Sequence, residues 1–145
     1  MRISTRGRYA LRFMVDLAQS CTSGDKNVAL KDISARQDIS VKYLEQIVSR
    51  LCKTGLVISS RGPQGGYRLA KPAEQYTVGS ILRAIEGSMA PVACLADVQN
   101  QCERRDACST LRFWTGLDEV INRYVDSVTL ADLISQDGCP MDCIG

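Results

Sequence analysis

Apolar residues recur along this chain with two different periods, and the change of period marks its elements. Ser4 or Thr5 can cap a helix start, after which Ala10, Phe13, Met14, Leu17, Ala18 and Cys21 keep an i, i+3, i+4, i+7, i+8 spacing. That spacing predicts a first helix with one buried face, closed by Cys21. Thr22 to Asn27 reads as a polar loop. A short helix follows over Leu30–Gln37, with Leu30, Ile33 and Ala35 inward, then a tight connection at Asp38 and Ile39. Ser40 caps a stronger helix to about Thr54, with Val41, Leu44, Ile47, Val48 and Leu51 as its buried stripe and Cys52 alongside. Gly55 sits where a left-handed terminating residue is wanted.

The period then shortens to two. Leu56–Ser60 reads as a strand, Arg61–Gly66 as a turn made of Gly and Pro, and Tyr67–Ala70 as the returning strand. Two helices joined by a tight turn, the second longer, form a helix-turn-helix. The hairpin behind them makes a winged helix, so the expected class is mainly α with a small β-hairpin. Pro72 to Tyr76 reads as a linker. Thr77 caps a fourth helix that buries Val78, Ile81, Leu82 and Ile85 and ends at Gly87, and a loop runs from Ser88 to Ser109. A long helix then starts near Thr110 with Trp114, Leu117, Ile121, Tyr124 and Val128 in register, and Phe113, Val120 and Val125 widen the stripe. Thr129 caps a short last helix, Leu130–Ile134. No internal repeat or low-complexity tract interrupts this order.

Length and charge change the picture in two ways. A chain of 145 residues can bury a core without disulfide staples. No 18-residue apolar run is present and the N-terminus has no signal-peptide core, so a cytoplasmic protein without a membrane partner is expected. The net charge of +2 hides an asymmetry: residues 1–71 carry 13 Lys/Arg against 5 Asp/Glu, and residues 72–145 carry 5 against 11. A polyanion partner for the first half follows. The outward face of the Ser40–Thr54 helix holds Lys42, Tyr43, Glu45, Gln46, Ser49 and Arg50, residue types that read base edges or neutralise phosphates. At the hairpin tip Arg61, with Gly62 and Gly65 allowing close backbone approach, suits a minor groove. Arg2, Arg6 and Arg8 near the start of the first helix suit the DNA backbone.

The candidate chemistry lies in the cysteines. Seven are present and no histidine. In a reducing compartment they read as metal-binding or redox-active before they read as disulfides. Cys94, Cys102 and Cys108 fall in one loop, spaced Cys-x7-Cys-x5-Cys among Asp, Asn, Gln, Glu and Arg. Without histidine, and with no paired nucleophile and base, an enzyme is not expected.

Four stretches together resemble one family: Arg2–Leu11, Val41–Gln46, Gly55–Val57 and Arg61–Tyr67, the last reading Arg-Gly-Pro-Gln-Gly-Gly-Tyr. They look like the winged-helix regulators of the IscR type, a group that includes nitric-oxide-sensing NsrR proteins, iron-responsive repressors and cysteine-metabolism repressors. The resemblance covers residues 1 to about 134. It implies a dimeric transcription factor on double-stranded operator DNA, with the long helix as dimer interface. It also implies an iron–sulfur cluster on Cys94, Cys102 and Cys108, base reading by Tyr43, Glu45 and Gln46, and Arg61 in the minor groove. Lys42 departs from the small polar residue often found there. The position that carries histidine in the iron–sulfur cluster regulator is Leu111 here, and the position where the nitric-oxide sensors supply a carboxylate is Arg8. The x7 gap is similar to that of the iron-responsive repressors.

The residues themselves favour a cluster over zinc. Zinc wants four closed ligands with close Cys pairs, whereas three thiolates with an incomplete fourth position leave one iron open. A 2Fe–2S cluster is favoured over 4Fe–4S. Arg104 and Arg105 would offset its charge. Fourth-ligand candidates are Asp106, Asp97, Glu103, Cys139, Cys143, a backbone group or a small molecule. Cys139 and Cys143 form a second candidate redox or metal pair. The expected organisation is a DNA-binding domain over 1–71, a fourth helix, cysteine sensor loop and dimerisation helix over 72–134, and a flexible tail over 135–145. Two alternatives stand beside a cluster-sensing regulator: a cluster-free thiol-sensing or cysteine-metabolism repressor, and a small iron–sulfur electron carrier.

Overall fold

A computed structural model of the chain describes residues 2–21 and 26–135. The element order is α1 (Thr5–Ser20), α2 (Leu30–Gln37), α3 (Val41–Lys53), β1 (Val57–Ser60), β2 (Gly66–Leu69), α4 (Val78–Glu86), α5 (Leu111–Ser127) and α6 (Leu130–Ile134). Short 3-10 turns lie at Ala73–Gln75, Ala93–Leu95 and Arg105–Ala107. The architecture is the winged helix-turn-helix expected from the sequence, followed by a long helix. Among the described residues no helix is long and apolar enough to cross a membrane. The pair Cys139 and Cys143, with the rest of 136–145, lies outside the described residues, as do 22–25.

Local signals account for the helix starts. The hydroxyls of Ser4, Ser40, Thr77 and Thr129 accept from the backbone N–H of Gly7, Tyr43, Ser80 and Asp132. Thr129 and Asp132 complete a reciprocal capping box. Asp38 takes the left-handed conformation (φ 53°) that turns α2 into α3. One continuous core then forms from Ala10, Phe13, Met14 and Leu17 of α1, Ile33 of α2, Leu44, Ile47, Val48 and Leu51 of α3, Val57 of β1, Ile81 and Ile85 of α4, and Leu130 of α6.

Four residues depart from the expected pattern. Ala35 is exposed: two residues beyond Ile33 is about 200° around a helix, the opposite face. Val41 is 39% exposed, because it occupies the first turn of α3, beyond the body that covers Leu44. Tyr76, in the stretch read as a linker, is completely buried, so the core runs across residues 71 and 72 without a break. Val28, between the polar loop and α2 and given no role by the sequence pattern, is buried and pairs with the wing: its N–H donates to Tyr67 O at 2.8 Å and its carbonyl accepts from Tyr67 N at 2.9 Å. That pairing adds a one-residue third rung beside the antiparallel β1–β2 hairpin, whose register is Val57 to Leu69 and Ser60 to Gly66.

A charged residue also sits inside the stripe of α1. Asp16 is 3% exposed and receives Arg36 Nη2 at 2.7 Å, Arg36 Nε at 3.1 Å and Gln37 Nε2 at 2.8 Å. The sequence signal is a carboxylate between Phe13 and Leu17 on a buried face, which has to be paired. Burial works to raise its pKa, but the hydrogen bonds from Arg36 and Gln37, with the Arg36 charge and the Ser20 hydroxyl, outweigh it and hold the carboxyl below 3.8. Asp126, held by Arg83, and Asp132, held by the Thr129 N–H and hydroxyl, are lowered in the same sense. A depressed folded pKa gives stability that is present above the unfolded value and lost as pH falls through the folded one. Thermal melting should therefore weaken below about pH 4. Asp16→Asn should lower the melting temperature at pH 7 and flatten that acid limb. An acid limb as steep as the wild type's would remove Asp16 as its source.

Candidate nucleic-acid interface and cysteine loop

The helix-turn-helix exposes one continuous polar face. Lys42, Glu45, Gln46 and Ser49 are all exposed and lie at i, i+3, i+4 and i+7 on α3, opposite the buried stripe. Tyr43 is different. It is half-buried, its ring edge-on to Tyr9 of α1 at 5.6 Å and 83°, and Tyr9 carries the Arg12 guanidinium at 5.2 Å on its ring. Tyr43 therefore joins α3 to α1 at the border of the exposed face. Arg50 is exposed, but its Nε donates to the Ala84 carbonyl of α4 at 3.1 Å. The Nε edge of its guanidinium is thus tied to α4.

The wing presents Arg61 and Gly62 at its tip, both exposed, with Gly62 at φ 102°. Gly65, half-buried, closes the turn by donating its N–H to Gly62 O at 2.9 Å. Asn27 anchors the tip from the other side, its Nδ2 donating to Gln64 O at 3.1 Å. Tyr67 of β2 is half-buried beside α3, where burial first and then the charges of Cys52 and Glu45 push its phenol up. Burial alone pushes up the Cys52 thiol, consistent with a packing role. Arg2 and Arg6 are exposed at the N-terminus of α1. The face, the wing tip and these arginines all belong to the basic half of the chain.

The cysteine loop joins α4 to α5. Cys94 lies in the Ala93–Leu95 turn and is half-buried, as is Cys102, whose N–H donates to Asn100 Oδ1 at 2.9 Å. Cys108 is exposed just before α5. Hydrogen bonds from the Thr110 hydroxyl and backbone N–H draw its thiol below the ordinary 9.0, with the Leu111 N–H and the Arg104 charge adding to them. Of the two arginines expected to act here, Arg105 reaches Asn100 O at 3.5 Å and Asp106 at 3.9 Å. The chemistry of the donors fits an iron–sulfur cluster: three soft thiols, no imidazole, a polar loop. Their placement does not pre-form the site, for among the described residues no three Cys, Asp or Glu side chains are gathered to hold a metal ion.

Beyond the loop, α5 packs on α4 through Arg83, which donates to Asp126 Oδ1 at 2.8 Å and Asn122 Oδ1 at 2.7 Å. No residue of α5 is fully buried. Phe113 and Val120, which widen its stripe, are 64% and 56% exposed.

The comparisons with known proteins agree with this arrangement. A family model described as Rrf2, iron-dependent transcriptional regulator, matches residues 3–136. The chain is 42% identical to the HTH-type transcriptional regulator IscR of Serratia proteamaculans over 135 residues, 93% of this chain and 80% of the relative. It is 43% identical to IscR of Yersinia enterocolitica over the same shares. Among solved structures it is similar to CymR, the global cysteine regulator of B. subtilis, at TM-score 0.74 and 36% identity over 92% of this chain and 96% of that one. It is similar to T. potens IscR at TM-score 0.72 and 38% identity over 92% and 86%. These relatives are named as regulators of transcription, not as enzymes. The winged helix, its exposed face and these matches lead to one conclusion: the chain belongs to the Rrf2 family of iron-dependent transcriptional regulators, as a DNA-binding, IscR-like member.

Proposed function

We propose that the protein is a homodimeric regulator of double-stranded operator DNA whose affinity or operator choice is set by an iron–sulfur cluster on Cys94, Cys102 and Cys108. One observation carries the reading. The three cysteines lie on the single loop between α4, which packs on α1 and α3, and α5, which leaves Phe113 and Val120 exposed. A cluster there would lie within the 72–134 half, between α4, packed on elements of the DNA-reading residues 1–71, and the dimerising helix α5. Its thiolate-held irons would supply a centre open to oxidants, nitric oxide or thiols at the incomplete ligand position. Lys42, Glu45, Gln46 and Ser49 enter the major groove with Tyr43 at its border, Arg61 with Gly62 and Gly65 enters the minor groove, and Arg2, Arg6 and Arg50 meet phosphates. Pairing through Phe113 and Val120 of α5 would set two α3 helices roughly 34 Å apart, one turn of DNA.

Iron and acid-labile sulfide analysis of anaerobically purified protein tests the cluster. Cys94→Ala, Cys102→Ala and Cys108→Ala should each abolish the visible absorbance. Full absorbance in all three variants sinks the ligand assignment. A second reading keeps the DNA binding and removes the metal, with the thiols themselves sensing oxidants. It is favoured by the likeness to the cysteine regulator CymR and by the dispersed thiols of the described loop. Protein purified anaerobically without iron, whose DNA binding responds to disulfide formation, would establish it.

A further inference from the structure

The last turn of α4 reaches three elements through consecutive or near-consecutive residues. Arg83 holds α5 through Asp126 and Asn122. The Ala84 carbonyl accepts from Arg50 Nε at 3.1 Å in the final turn of α3. Glu86 Oε1 accepts from both the Ser4 hydroxyl at 2.6 Å and the Ser4 backbone N–H at 2.9 Å. Ser4 in turn is the N-cap of α1. Gly7 is buried there, and any Cβ on it would collide with Glu86 Oε1. The first turn of α1 is thus clasped by the carboxylate from above the cap and along the helix side. Gly87 and Ser88 follow at once and open the cysteine loop.

We propose that Glu86 is a positioning residue for DNA binding: its carboxylate fixes the start of α1, and with it Arg2 and Arg6, on the turn from which the cysteine loop departs. This rests on the proposed phosphate contacts of Arg2 and Arg6. The geometry gives the loop a short route to the DNA-facing surface. A shift of the loop's first residues acts on the same turn that holds the α1 N-terminus and the end of α3. Electrostatics alone argues the other way, which makes the proposal testable. Glu86 adds a negative charge at Ser4 and Gly7, in the stretch of chain that carries Arg2, Arg6 and Arg8, so as a mere charge it opposes a phosphate. Removing it should then tighten binding, whereas loss of positioning should weaken it.

The experiment uses the full chain and a duplex that the wild type selects from random-sequence DNA. Affinity is measured from low to high salt for the wild type, Glu86→Ala, Glu86→Gln, Ser4→Ala and the Ser4→Ala/Glu86→Ala pair, with melting temperatures alongside. Glu86→Ala is expected to bind about tenfold more weakly and to lower the salt slope by about one phosphate contact. Glu86→Gln keeps a carbonyl acceptor at the same reach and should restore both. The double variant should lose less than the sum of the two single losses, since Ser4→Ala removes the Gly7 cap and one of the two Ser4–Glu86 bonds while Glu86→Ala removes both. Unchanged or tighter binding by Glu86→Ala, or a loss in Glu86→Gln equal to that in Glu86→Ala, overturns the proposal. Should Glu86→Ala fail to fold, Glu86→Asp keeps the charge and loses the reach, and unchanged affinity and slope in that variant overturn it equally. A wild type that selects no duplex contradicts the DNA reading itself, an outcome distinct from these.

Discussion

Replacing Tyr76 by alanine is expected to lower the unfolding free energy by about 4–6 kcal/mol, while phenylalanine costs about 1–2 kcal/mol. Tyr76 is completely buried and is the largest of the fully buried side chains. Its hydroxyl donates to Leu56 O at 2.6 Å and accepts from Ala70 N at 2.9 Å and Lys71 N at 3.2 Å. Leu56 precedes β1 and Ala70 follows β2, so one phenol staples the open end of the wing. Its backbone carbonyl also receives the Leu130 N–H at 2.9 Å, tying in α6. Alanine removes the ring volume and the staple together. Phenylalanine removes only the staple, and the exposed Ala70 and Lys71 can turn part of their loss over to water. Urea denaturation at one fixed protein concentration separates the two, because the stability of the proposed dimer would depend on that concentration. Equal midpoints for both variants would show that the ring's volume is not what the site supplies.

Gly66→Ala is expected to cost about 3–5 kcal/mol and to abolish DNA binding before the rest of the fold melts. Gly66 holds φ 145°, a conformation L-residues rarely adopt. A Cβ there would strike the Val28 carbonyl, its oxygen first and its carbon at 2.7 Å. Backbone cannot swing aside as a long side chain can. Relief requires breaking the two Val28–Tyr67 hydrogen bonds that dock the wing on the body. Hydrogen exchange should show the wing amides of Tyr67 and Val28 losing protection while those of α1 and α3 keep theirs. Wild-type protection at Tyr67 in the variant would sink this account.

Much of the fold could be read from the chain because it rests on local signals. Hydroxyls at Ser4, Ser40, Thr77 and Thr129 cap helices whatever the tertiary context, and α2 and α6 begin and end where their patterns do. Periodicity says which face is apolar, not what covers it. It therefore placed Ala35 and Val41 inside, although both are exposed. The candidate face of α3 was legible as the polar complement of a strong stripe. The half-burial of Tyr43 against Tyr9 was not, since the two residues lie on different helices.

The sequence by itself determines the winged helix-turn-helix, the basic half, the polar face of α3, and three cysteines on one loop without a histidine. All of these follow from residue type and from spacings of a few residues, which the helix and strand repeats convert directly into faces. The tertiary structure alone decides which side chains work across the chain: Tyr76 stapling the wing, Val28 docking it, Arg36 neutralising buried Asp16, and Glu86 clasping Ser4 from 82 residues away. No local rule contains these pairings. Each depends on two elements packed at one distance and angle, which only the common hydrophobic core sets. The same holds for the thiols of Cys94, Cys102 and Cys108. Spacing confines them to one loop, but it does not say whether they meet, and among the described residues the fold leaves them ungathered.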